Sequence, residues 1–239
     1  MLYLSLLAAG YTLPSAAPRS AVGRCSMPAM ADGSLNVGVL AIQGGFAEHM
    51  EALRRQEGVD AVEVRTPADL EKLDAIILPG GESTAIGHGL VDAELLGPLR
   101  DFVQTKPAWG ICAGMILLAD TLDDGATSGA IESSGQKRQP LIGGLDITVK
   151  RNAFGRQIDS AFRTFDVSEG AGELGDSAYF IRAPAVVSTG SDVDVLAKLG
   201  DDAPAGIEGA AVAVRQGHLM ATCFHPEISA DDSWLQMFL

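Results

Sequence analysis

A chain of 239 residues has room for one sizeable α/β domain and hardly for two. Its formal net charge of −14 and pI near 4.5 argue against a nucleic-acid partner or an anionic membrane surface. Cys25, Cys112 and Cys223 are too few and too scattered for a disulfide framework, and the four histidines are too dispersed for a structural metal site.

Residues 1–33 differ from the rest. They hold Arg19 and Arg24, their first acidic residue is Asp32, and an apolar stretch over Leu2–Leu13 is followed by Ala, Ser and Pro. They read as a targeting leader or a disordered tail, and 34–239 reads as one domain. The chain is therefore expected in the cytoplasm, or in a plastid or other organelle if the leader is a real signal.

The apolar run Asn36–Ile42 predicts a buried parallel strand, and Glu48–Gln56 a helix stopped by Gly58. Ala61–Arg65 is a second strand, followed by a short helix capped by Thr66 with Pro67 in its first turn. Asp74–Leu78 is a third strand ending in Pro79-Gly80-Gly81, with a helical stretch from Glu82 and an amphipathic helix over Glu94–Thr105. Pro107–Ile111 is a strand that runs into Cys112, and Ala113–Ala119 a helix. This alternation predicts a doubly wound, three-layer α/β fold. Asp123–Pro140 reads as a polar surface insertion. Short strands follow over Leu145–Lys150, Ala161–Val167, Ala178–Ile181, Val193–Lys198, Ala211–Arg215 and Leu219–Phe224, making the sheet mixed.

Gly110-Ile111-Cys112-Ala113-Gly114 has the G-x-nucleophile-x-G pattern in its required strand–turn–helix context, with Cys as the nucleophile. The Ala113 N–H is placed to bind an oxyanion. A structural Cys between packing glycines is the plain alternative. His225, in Phe224-His225-Pro226-Glu227 at a strand end, is the candidate base, and Glu227 the carboxylate that orients it. In Leu78–Thr84 (LPGGEST), Gly81 can give a second oxyanion donor, and Glu82 and Ser83 can receive polar groups of a small amino acid. Alone, that loop reads more readily as an ordinary strand-to-helix turn. Gln43-Gly44-Gly45, at the end of the first strand, should lie beside it, with His49 at the start of the next helix.

Together these elements resemble the class I, triad-type glutamine amidotransferases, whose fold is flavodoxin-like. Val37–His49 (VGVLAIQGGFAEH), LPGGEST, Arg151–Asp159 (RNAFGRQID) and Phe180–Pro184 (FIRAP) are similar to one branch, the glutaminase subunits of pyridoxal 5′-phosphate synthase. The similarity spans about Asn36 to Ser229. It departs from the bacterial pattern in the longer Asp123–Pro140, in Ser160-Ala161-Phe162-Arg163, and in the few residues after Trp234.

The resemblance implies a Cys112–His225–Glu227 triad and a glutamine site of Gly81, Glu82, Ser83, Arg151, Ile181 and Arg182. An Arg there would hold the substrate carboxylate by a forked pair of hydrogen bonds. It also implies a thioester mechanism, no cofactor and no metal, and a synthase subunit as the partner that receives the ammonia. That partner is expected to dock near the two glycine loops and to activate hydrolysis.

Overall fold

The computed structural model describes residues 34–126, 139–155, 161–200 and 203–239. The predicted leader, most of the 123–140 insertion and the second half of RNAFGRQID lie outside the described residues.

Five parallel strands form the centre. β1 (Leu35–Leu40), β2 (Val59–Val64), β3 (Ala75–Leu78), β4 (Ala108–Ile111) and β12 (Leu219–Thr222) pair in the order β2-β1-β3-β4-β12. Every residue of β3, β4 and β12 is buried, which is why they read as continuous apolar runs without alternation. The order has the flavodoxin-like pattern, with its switch point between β1 and β3. The connecting helices are α1 (Phe46–Arg54), α2 (Ser83–Asp92), α3 (Leu96–Phe102) and α4 (Ala113–Leu118).

Beyond β12 the sheet turns antiparallel through β11 (Ala211–Gln216), β10 (Asp194–Leu199), β7 (Ala161–Val167) and β8 (Ser177–Phe180). β5 (Ala119–Leu122), β6 (Leu145–Lys150) and β9 (Ala185–Thr189) form a branch joined to β11. The sequence reading missed two of these. β5 follows α4 without a break and reads as its last turn, and β9 holds only two buried residues beside FIRAP. The helix predicted over Glu94–Thr105 forms only over Leu96–Phe102, after Glu94 turns into the left-handed region (φ 57°).

A last helix, α5 (Ser233–Phe238), packs Trp234, Leu235, Met237 and Phe238 into the core. Phe165 stacks on Phe224 at 4.7 Å, Phe224 meets Trp234 edge-on at 5.1 Å, and the Trp234 indole N–H donates to the Gly175 carbonyl (3.0 Å). This aromatic cluster lies directly behind the strand end that carries His225. No helix among the described residues is long and apolar enough to cross a membrane.

Candidate active site

The C-terminal ends of parallel strands are where this architecture gathers ligands. Here they carry the chemistry. β1 leads into Gln43-Gly44-Gly45, β3 into Gly80-Gly81, β4 into Cys112, and β12 through Cys223-Phe224 into His225.

Cys112 sits at φ 49°, ψ −100°, a conformation costly for a residue with a side chain. The elbow is held because its backbone N–H donates to the Thr222 carbonyl (2.8 Å) and because its two glycines allow close approach. A Cβ on Gly110 would stand 2.5 Å from the Gly114 carbonyl, and one on Gly114 2.0 Å from the Leu78 carbonyl oxygen. Neither gap admits a methyl group. Strand β4, helix α4 and strand β3 therefore meet backbone to backbone, and the thiol is presented at the head of α4.

His225 Nδ1–H donates to Glu227 Oε1 at 2.7 Å, and its backbone N–H donates to the Tyr179 carbonyl (3.0 Å). The ring lies against Gly80, where a Cβ would stand 2.5 Å from Cε1. Burial pushes the His225 pKa down. Hydrogen bonding to Cys112 and Glu227, and their negative charge, outweigh it and raise the pKa to about 10. Burial likewise works against Glu227 ionising, yet the His225 hydrogen bond and the nearby histidines hold its pKa below the usual value. At neutral pH the pair is therefore an imidazolium bound to a carboxylate.

The two glycine loops interlock at the switch point. Gly45 N–H donates to the Gly80 carbonyl (3.0 Å), and the Glu82 N–H donates to Gln43 Oε1 (2.9 Å). Because the peptide is trans, fixing the Gly80 carbonyl toward Gly45 turns the Gly81 N–H to the opposite side. Gln43 and Gly45 thus set the orientation of one of the two expected oxyanion donors.

A cavity of about 330 Å³ opens over the thiol, lined by Gly45, Glu48, Gly80, Gly81, Cys112, Ile181, Arg182, His225, Glu227 and Ile228. It brings together the three triad residues and, from the expected glutamine site, Gly81, Ile181 and Arg182. Arg182 follows β8 in a left-handed conformation, φ 47°. The other expected residues are engaged within the protein. Glu82 caps α2, accepting from the N–H groups of Thr84 (3.1 Å) and Ala85 (2.7 Å). Burial works against its ionisation, but those bonds and the Arg182 charge keep its pKa low. Ser83 Oγ donates to Gln139 Oε1 (3.1 Å), and Arg151 Nη1 donates to the same oxygen (2.9 Å) while pairing with Asp124.

Two residues of the cavity wall escaped sequence reasoning, and a third was placed beside it with another neighbour in view. Glu48 and Ile228 line the cavity, and His49, expected beside the docking loops, is buried with its ring against Glu227. A signal was present for Glu48 and His49: both lie in the first turn of the helix that follows β1, at the strand ends where ligands gather.

Comparison with known proteins gives a consistent assignment. Residues 39–239 match the model of the SNO glutamine amidotransferase family. The chain is 49% identical over 196 residues to a protein of Parafrankia sp. (strain EAN1pec) named pyridoxal 5′-phosphate synthase subunit PdxT, covering 82% of this chain and 87% of that one. It is 47% identical over 207 residues to a Mycobacterium leprae (strain TN) protein of the same name, covering 85% and 94%. A crystal structure described as a glutamine amidotransferase superposes with a TM-score of 0.70 at 41% identity, covering 85% of this chain and 96% of that one. PurLQS from Thermotoga maritima, at 18% identity and a TM-score of 0.54, shares the fold. A match of this extent, over a strained Cys elbow and its His–Glu pair, establishes that the chain belongs to the SNO glutamine amidotransferase family.

Proposed function

We propose that this chain hydrolyses L-glutamine to L-glutamate and ammonia through a thioester on Cys112, and supplies the ammonia to the synthase subunit of a pyridoxal 5′-phosphate synthase. The observation that carries the reading is the Cys112–His225–Glu227 array facing one cavity at the ends of β4 and β12. The identity to PdxT proteins supports the product's destination.

The chemistry follows from the array. Cys112 Sγ attacks the side-chain amide carbon of glutamine. The oxyanion that forms is received by backbone N–H groups of Gly81 and Ala113, each donor worth roughly 10²–10³ in kcat. The proton that His225 carries goes to the departing nitrogen as the C–N bond breaks. His225, now neutral, takes a proton from water, whose oxygen attacks the thioester; the C–S bond then breaks as glutamate leaves with its carboxyl proton passing to solvent, and the proton on His225 restores the imidazolium. Glu227 keeps the ring oriented and its charge compensated.

Arg182, at the cavity wall, is the residue best placed to hold the substrate α-carboxylate. Gly81 and Ile181 line the same cavity, and Glu82, Ser83 and Arg151 support it from the α2 side. The test is glutamate release by the purified chain, alone and with saturating synthase subunit. Glutamine-dependent turnover that is higher in the complex supports the reading. No release in either state would refute it.

A further inference from the structure

The triad acid is only half engaged. Glu227 is buried, its side chain 4% exposed, and His225 occupies Oε1. Oε2 has no hydrogen-bond partner among the described residues. Facing it at 3.7 Å is Nε2 of His49, a side chain 3% exposed whose Nε2 also lacks a partner. A buried carboxylate oxygen without a donor and a buried imidazole nitrogen without an acceptor are each unfavourable. Side by side, each supplies what the other lacks. A shift of less than an ångström brings 3.7 Å into hydrogen-bond range, and such contacts commonly tighten only when substrate is bound.

We infer that His49 is a positioning residue of the reaction: its Nε2–H holds the second oxygen of Glu227, so that the working array is Cys112, His225, Glu227 and His49. This rests on the glutaminase reading above. Burial, the largest influence, keeps His49 neutral at neutral pH, so Nε2–H is a neutral donor that adds no charge to compete with His225. The charged groups facing it are Glu227 and His225 across the site and Glu48 on its own helix, while the Trp109 ring packs edge-on at 6.4 Å.

The placement also has a mechanical consequence. His49 is in the first turn of α1, and α1 begins at the loop whose Gln43 and Gly45 brace Gly80–Glu82. One nine-residue helix therefore joins the oxyanion loop to the triad acid. A movement of α1 changes both at once.

The experiment compares wild type, His49→Gln, His49→Asn and Cys112→Ala, each assembled with the synthase subunit. Active centres are titrated with an electrophilic glutamine analogue, and thermal melting checks the fold. Gln places its amide nitrogen near Nε2, whereas Asn places it near Nδ1, out of reach of Glu227. The expected result is that Asn lowers kcat per active centre about ten- to a hundredfold, the worth of one hydrogen bond to a charged group, with KM little changed. Removing a donor from an ionised carboxylate raises its pKa, so the acid limb of kcat for Asn moves to higher pH. Gln restores both kcat and the limb. Equal kcat and superimposed acid limbs for Gln and Asn would overturn the inference, including where both melt below wild type. Turnover retained in Cys112→Ala would instead overturn the glutaminase reading itself.

Discussion

At the scale of single residues the site is defined by close contacts that leave no slack. Gly114 shows this: a methyl group there meets the Leu78 carbonyl oxygen at 2.0 Å, and that neighbour is backbone. Gly114→Ala is expected to destabilise the protein by at least ~1–3 kcal/mol, as overpacking does, and to displace Cys112. Urea unfolding and glutamate release on the same sample check both effects. The triad also makes stability depend on pH. His225 has a folded pKa of about 10 against 6.5 unfolded, so its contribution is full below 6.5 and disappears as pH rises through about 10. Glu227 is lowered from 4.5, so its contribution is present above 4.5 and disappears as pH falls. The stability advantage of wild type over Glu227→Gln should therefore peak between pH 4.5 and 6.5 and shrink on both sides. A constant difference from acid to alkaline pH would contradict the assigned ionisations. Substrate capture separates the two arginines. Arg182→Ala should raise KM for glutamine clearly. Arg151→Ala should raise it less, because Arg151 reaches the site through Gln139 and Ser83.

At the scale of elements, the parallel half was legible because its signals are local. Strands buried on both faces show as apolar runs such as Ala75–Leu78, and the elbow announces itself in five residues. The rest was not, for physical reasons. β5 has no turn residue separating it from α4, so nothing local marks the change from helix to strand. The triad acid's contact with His49 joins residues far apart in sequence, and a lone histidine in a helix carries no mark of what it faces. α5 is only six residues long, yet its Phe238 is fully buried and its Trp234 is locked to Gly175. Trp234→Ala should therefore cost about 3–5 kcal/mol, the usual loss for a buried aromatic, read from the urea midpoint. Val91→Ala, at a position 49% exposed, should stay within about 0.5 kcal/mol.

At the scale of the whole molecule, four strand ends bring together pieces scattered over the chain from Gln43 to Glu227. This explains why the wider glutamine site had to be carried by resemblance: Arg182 gains its place from the end of β8, a strand of the antiparallel half. The two halves are thus joined at the cavity, and Gly45, from the loop after β1, lies on its wall. The central claim is that Cys112 carries the acyl group. It is tested most directly by acid-quenching the complex during turnover of glutamine and locating the adduct by peptide mass spectrometry. The account predicts one glutamyl group on the peptide bearing Cys112. The adduct persists in Cys223→Ala, whose thiol is fully buried and pushed well above its ordinary pKa, and is absent in Cys112→Ala. Glutamate release by Cys112→Ala at the wild-type rate would contradict it.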